Sequence, residues 1–167
     1  PNEEFLKYII NISKQNKTIL ISDEVITGFR FSYGSFLNSI GCEADLYCLG
    51  KIIGGGLPIG AYGGKGKIME KLAPDGDVYQ ASTFGGNPVV MRSGISALKE
   101  INKKKNIYAE LSEKTKELVN MLKVEAQKNG KNIKVVEYGS MFSIKFEKQK
   151  HFKKFYNKMI KGGVLLA

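Results

Sequence analysis

Tryptophan is missing from this chain of 167 residues, histidine occurs once and cysteine twice. His151, Cys42 and Cys48 are too few and too scattered to make a tetrahedral metal site. Nothing marks secretion, so the two cysteines read as reduced thiols in an intracellular protein rather than as a disulfide. His151 lies in the basic stretch Lys148-Gln149-Lys150-His151 and reads as a surface residue. No apolar run approaches the roughly 20 residues that span a bilayer, which points to a soluble, cytoplasmic chain with no membrane partner. The initiator Met is missing as well: Pro1 leads straight into a helical pattern, and Val164-Leu165-Leu166-Ala167 reads as a strand cut short. A piece of a longer protein is expected, lacking sequence at both ends, so an organellar targeting signal would lie outside it.

Arginine is scarce and absent after Arg92. Residues 1–98 hold nine Lys/Arg and nine Asp/Glu, whereas residues 99–167 hold seventeen Lys and seven Glu, so the whole net charge of +10 sits in the second part. Nucleic-acid readers usually mix arginine with aromatic residues in one patch. Lysines spread along amphipathic helices read instead as a solvated face, and no nucleic-acid partner is expected. A non-catalytic nucleic-acid-binding module is the contrasting reading, and it predicts affinity that falls steeply with salt.

What is present is an ordinary globular composition, 43% hydrophobic, arranged in short periodic segments. Phe5, Leu6, Ile9, Ile10 and Ile12 recur at helical spacing over residues 3–15. Thr18-Ile19-Leu20-Ile21-Ser22 is a short apolar strand ending at Asp23, and Ala44-Asp45-Leu46-Tyr47-Cys48-Leu49 is a second that delivers Gly50-Lys51. Residues 28–43 read as a loop and a short helix, residues 59–64 as a strand, and Ile68 to Leu72 as a helix stopped by Ala73-Pro74-Asp75-Gly76. Asn87-Pro88 is a helix start, because Asn caps and Pro suits the first helical position; that helix should run to about Asn102. A second long helix, from about Ile107 to Asn129, should bury Leu111, Leu118, Val119 and Leu122. Ile133 to Glu137 and Met141 to Phe146 alternate like paired strands, and residues 151–161 return to helix. Helix, hairpin and helix in that order mark a smaller α+β domain beginning near residue 104.

Helix followed by buried strand is the pattern of an α/β unit, in which ligands collect at the carboxyl ends of the strands. Asp23, Glu24 and Lys51 all stand at such ends. A lysine leaving a buried strand is expected to be poorly solvated, which favours its neutral amine and makes it a candidate nucleophile. Gly54, Gly55 and Gly56 beside it allow positive φ and close approach to a ligand. A carboxylate at a neighbouring strand exit is suited to a cofactor's ring nitrogen, and the pair suggests pyridoxal phosphate chemistry. Singly, each residue has a plainer use: Lys51 in an exposed loop, Asp23 as a turn or capping acid, Thr83 in a turn. The glycine-rich segments match neither a Walker loop nor a dinucleotide-binding fingerprint.

Three runs carry more. Ser22-Asp23-Glu24-Val25-Ile26-Thr27-Gly28-Phe29-Arg30, Leu49 to Gly64, and Tyr79 to Pro88 resemble the class III aminotransferases of the pyridoxal-phosphate-dependent fold-type I superfamily. The likeness covers about residues 1–102 and is weaker beyond. It implies an α/β fold: part of a large cofactor domain with a mainly parallel sheet over residues 1–103, and part of an α+β C-terminal small domain over residues 104–167. By the same resemblance Lys51 would be the catalytic, Schiff-base lysine and Asp23 the partner of the ring nitrogen. Val25 would pack on one ring face, and Thr83 would reach the cofactor phosphate of the other subunit of a homodimer. A hydroxyl beside loop N–H groups suits a phosphate. The implied cofactor is pyridoxal 5′-phosphate, passing through its pyridoxamine form, and the implied substrate is a small amino aldehyde. The implied reaction is amino transfer within one molecule, in tetrapyrrole (porphyrin) synthesis, with Lys51 moving protons while the ring spreads carbanion charge. Ser82 to Pro88 looks like the general class III pattern, so an aminotransferase with an external amino donor is the alternative. The family's phosphate-binding loop, stacking aromatic and gating loop would lie upstream. The chain alone is therefore expected to be inactive, with an exposed sheet edge and an uncovered dimer surface.

Overall fold

The computed structural model of the protein describes residues 2–131 and 133–166. The side chain of Asn2 accepts from the Phe5 amide at 3.0 Å and so starts α1 (Glu3–Gln15). Glu3 and Glu4 sit at the positive end of its dipole and Lys14 at the negative end. Only part of its apolar face is covered. Ile10 is buried in a cluster with Leu37, Cys42 and Ala44, edged by Leu6, Leu20, Ile40 and Tyr47. Phe5, Tyr8 and Ile12, at the same helical spacing, face solvent.

Strands β1 (Ile21–Glu24), β2 (Leu46–Gly50) and β3 (Gly60–Gly64) form a sheet in the order β1-β2-β3. β1 and β2 are parallel, with Ile21 opposite Leu46 and Glu24 opposite Leu49. β2 and β3 are antiparallel, with Leu46 opposite Gly64 and Gly50 opposite Gly60. The expectation of a mainly parallel sheet is thus corrected to a mixed one, and connection length is the reason. Residues 25–45, with α2 (Phe36–Ser39) among them, are long enough for a crossover. Residues 51–59 fall short of the dozen or so that a parallel return needs.

Asp45 ties the amino end of this sheet together. Its Oδ2 accepts from the Leu20 amide at 2.7 Å, and its Oδ1 pairs with the Lys65 ammonium at 2.5 Å. The bond from the Leu20 amide, then the one from Lys65, holds the Asp45 carboxyl below its ordinary 3.8, and Asp45 in turn raises Lys65 above 10.5. Past β3 comes a single helical turn, α3 (Gly66–Met69), where a helix over Ile68 to Leu72 was expected. The chain before Pro74 is biased away from helix. It closes instead through bonds from Val78 to the Lys71 carbonyl and from Gly76 to the Leu72 carbonyl. α4 (Pro88–Lys103) starts as its sequence dictates: Pro88 is in the first turn and the Asn87 oxygen accepts from the Val89 and Val90 amides.

A second compact unit begins after Tyr108. It contains most of α5 (Ile107–Lys128), the antiparallel pair β4 (Lys134–Tyr138) and β5 (Met141–Lys145), and α6 (Gln149–Lys161). The first turn of α5 stays with the first unit because the Tyr108 hydroxyl donates to the Phe29 carbonyl at 3.3 Å. Gly139, at φ 52°, supplies the positive φ that a tight hairpin between β4 and β5 needs. Phe146 meets Phe152 and Phe155 at ring-centroid distances of 5.7 and 5.2 Å, which joins the end of β5 to α6. On α5, Val119 is buried and Leu122 half-buried, but Leu111 and Leu118 are exposed, against the expectation from their spacing. A two-stranded sheet and one further helix offer too little surface to cover a helix of 22 residues. Val164 to Leu166 form no strand, since no neighbour pairs with them among the described residues, and Ala167 lies outside those residues.

The Asp45 ties make a pH-dependent prediction. Its carboxyl is depressed on folding, so its contribution is present above 3.8 and is lost as pH falls through the lowered value. Asp45→Asn should lower Tm at neutral pH, and the gap between variant and parent should close below 3.8, as read by thermal melts across that range.

Candidate active site

The carboxyl ends of the parallel strands lie side by side. Asp23 is opposite Cys48 and Glu24 opposite Leu49. The next residue of one strand, Val25, then rests against the backbone of Gly50 in the other. A Cβ at Gly50 would stand 3.2 Å from Val25 Cγ1 and 3.3 Å from the Ile59 carbonyl oxygen, so this position favours glycine. Immediately after it, Lys51 takes a left-handed backbone with φ 46° and opens a 3-10 turn, Lys51–Gly54, which ends at Gly55 with φ 59°.

Left-handed backbone costs a residue with a side chain about 1–2 kcal/mol, so the surroundings must hold it. α4 supplies the hold. At Gly94 no Cβ fits beneath the Ile53 carbonyl, and the Ser93 hydroxyl donates to the Gly55 carbonyl at 3.1 Å. Ile53, Gly54 and Val90 are buried at this contact. The turn that carries Lys51 is thus clamped between β2 and a helix.

Asp23, Val25 and Lys51 are brought to one end of the sheet. Asp23 is exposed, and its Oδ1 accepts from the Val25 amide at 3.1 Å. Lys51 is exposed too, which corrects the expectation of a poorly solvated amine. β2 ends in a buried Gly50, and the exposed Lys51 opens the turn that follows it. Thr83 lies in the exposed loop 81–86 ahead of α4, and no hydrogen bond joins it to the other three among the described residues. An open cleft of about 630 Å3 runs between β3, this loop and α4, walled by Ile59, Tyr62, Gln80, Ser82, Phe84 and Met91. None of Asp23, Val25, Lys51 and Thr83 lines it. Cys42 is buried and Cys48 half-buried, both as free thiols, and His151 is exposed.

Sequence reasoning put Glu24 beside Asp23 without a role. The structure buries it to 1% exposure. Its Oε1 accepts from the Ser35 hydroxyl at 2.5 Å, the Leu37 amide at 3.1 Å and the Ser22 hydroxyl at 3.2 Å, and its Oε2 from the Phe36 amide at 2.6 Å. Strand alternation was the available signal, since adjacent acids point to opposite faces and only one can serve the open side. Gly94 was likewise legible, because glycine inside a helix costs about 1 kcal/mol against alanine and so marks a close approach.

Residues 1–167 match the Aminotransferase class-III family. The chain belongs to the class III aminotransferases. It is 42% identical, over its whole length, to the glutamate-1-semialdehyde 2,1-aminomutase of Thermodesulfovibrio yellowstonii, and it spans 42% of that relative's length. Among solved structures, an omega-transaminase from Sphaerobacter thermophilus superposes with a TM-score of 0.76 at 33% identity, covering 84% of this chain and 32% of that one. The FumI protein of Sphingopyxis sp. MTA144, solved in its PLP internal aldimine form, gives a TM-score of 0.84 at 26% identity, covering 98% and 39%. No helix of this class III aminotransferase chain is long and apolar enough to cross a membrane among the described residues.

The strain at Lys51 is separable from its amine. Glycine tolerates φ 46° and alanine does not, so Lys51→Gly should be more stable than Lys51→Ala by about 1 kcal/mol, the reverse of the ordinary order, in denaturant unfolding of the two proteins.

Proposed function

We propose that the protein containing this chain is a pyridoxal-phosphate-dependent glutamate-1-semialdehyde 2,1-aminomutase. It turns glutamate-1-semialdehyde into 5-aminolevulinate for tetrapyrrole (porphyrin) synthesis, acting in the cytoplasm as a homodimer. Residues 1–103 belong to its large cofactor domain and residues 104–167 to its small domain. The observation that carries the reading is Lys51, a primary amine clamped on a left-handed backbone at the strand end next to Asp23, in a chain 42% identical to such an aminomutase. The chain spans 42% of that relative, so the activity is a property of the longer protein.

The donor set has the chemistry the cofactor needs. An amine suits its aldehyde, a carboxylate its ring nitrogen and a hydroxyl its phosphate; in this reading they are Lys51, Asp23 and Thr83, with Thr83 serving the partner subunit. Val25 supports one ring face, beside a Gly50 that has no side chain to intrude. The bound cofactor supplies an electron sink that stabilises a carbanion next to nitrogen. Lys51 would hold the cofactor through its aldehyde, and its amine would carry protons between the substrate carbons and the cofactor. Asp23 would face the ring nitrogen and favour its protonated form. The less favoured alternative is a class III aminotransferase with an external amino donor, suggested by the pattern of Ser82 to Pro88.

Two measurements decide. Lys51→Ala should remove the visible absorbance of bound cofactor and lower turnover by at least about a hundredfold; an unchanged band sinks the reading. In single turnover the protein should make 5-aminolevulinate from the semialdehyde with no added amino donor or keto acid. A strict need for a donor assigns the external transaminase instead.

A further inference from the structure

Glu24 is a carboxylate with 1% exposure, and the proposed chemistry does not use it. Four donors converge on it from two segments: Ser22 in β1, and Ser35, Phe36 and Leu37 at the start of α2. The Glu24 carbonyl also accepts from the Gly28 amide at 2.9 Å, which closes the turn after the strand. No Cβ fits at Gly28 without meeting Leu49 Cδ2 at 2.6 Å and this same carbonyl at 2.8 Å. β1 itself has four residues, so its own ladder is a short hold on its carboxyl end.

We infer that Glu24 is a positioning residue, whose buried bonds to the start of α2 fix the end of β1 so that Asp23 stays aimed at the cofactor's ring nitrogen. This rests on the function proposed above. Strand alternation sends the two acids to opposite faces, one anchoring and one working. Asp23 has a local hold of its own, the Val25 amide, but that hold moves with the strand end. A carboxylate is required because it only accepts: glutamine presents one oxygen, and its NH2 would face a donor.

The test compares the intact protein with Glu24→Gln and with the milder Ser35→Ala, which removes one donor together with the bond that the Ser35 hydroxyl oxygen accepts from the Asn38 amide. In both, the pH midpoint of the Lys51-dependent absorbance should move upward, because a less firmly protonated ring withdraws less charge from the lysine nitrogen. kcat should fall by about ten- to a hundredfold in Glu24→Gln and less in Ser35→Ala, with KM within about threefold. Hydrogen exchange at residues 22–28 of the cofactor-free protein should quicken in both. Should Glu24→Gln fail to fold, Ser35→Ala carries the same three readings. A lowered Tm with midpoint and kcat unmoved makes Glu24 structural only and overturns the inference. Absence of any Lys51-dependent band in the parent protein overturns the function beneath it, a distinct result.

Discussion

The candidate site depends on the contact between α4 and the turn after β2. A lysine backbone does not stay left-handed unaided, and two fixed neighbours keep it there. On one side Gly50 is paired to β3 and pressed by Val25. On the other, the missing side chain of Gly94 lets α4 descend onto the Ile53 carbonyl, and Ser93 ties Gly55. The start of α4 is set in turn by Asn87 and Pro88, so its cap, its glycine and the lysine turn form one chain of constraint. The loop with Thr83 leads directly into that cap, which makes α4 the element that relates Thr83 to Lys51.

Two carboxylates hold the sheet from opposite ends in different ways. Asp45, partly exposed and paired with Lys65, draws the start of β1 and the end of β3 to the start of β2. Glu24, sealed from water, ties the end of β1 to α2 through neutral donors. The amino end is thereby closed by an ion pair that solvent can screen. The carboxyl end is closed on one face only, and Asp23 and Lys51 stand exposed there.

Elements marked by local chemistry were legible in the sequence. Asn87-Pro88 announces α4, the alternation on either side of Gly139 announces the β4–β5 hairpin, and the apolar period announces α1 and α5. Period, however, tells which residues share a face and not whether anything covers it. Leu111 and Leu118 on α5 were therefore expected inside and lie outside, and so in part does the face of α1. Strand direction escaped for a similar reason, since it follows from the length of the connection rather than from the strands. Family likeness singled out Asp23, Val25, Lys51 and Thr83, but Glu24 stayed without a role, because three of its four donors come from a segment eleven to thirteen residues away.

The exposure of Lys51 changes what this part of the fold can be credited with. Burial was the first reason to regard the lysine as a nucleophile, and burial is what the structure lacks there. What it has is direction: a strained backbone, a clamped turn and a carboxylate one strand away. Direction is built from local contacts, which a chain spanning 42% of its relative can hold complete. Desolvation instead needs surface brought over the open end of the sheet. In the proposed homodimer that surface comes from the rest of the protein and from a second copy. The lysine's geometry and its reactivity then have separate origins, and a variant that disturbs the clamp at Gly94 or Ser93 acts on the first without touching the second.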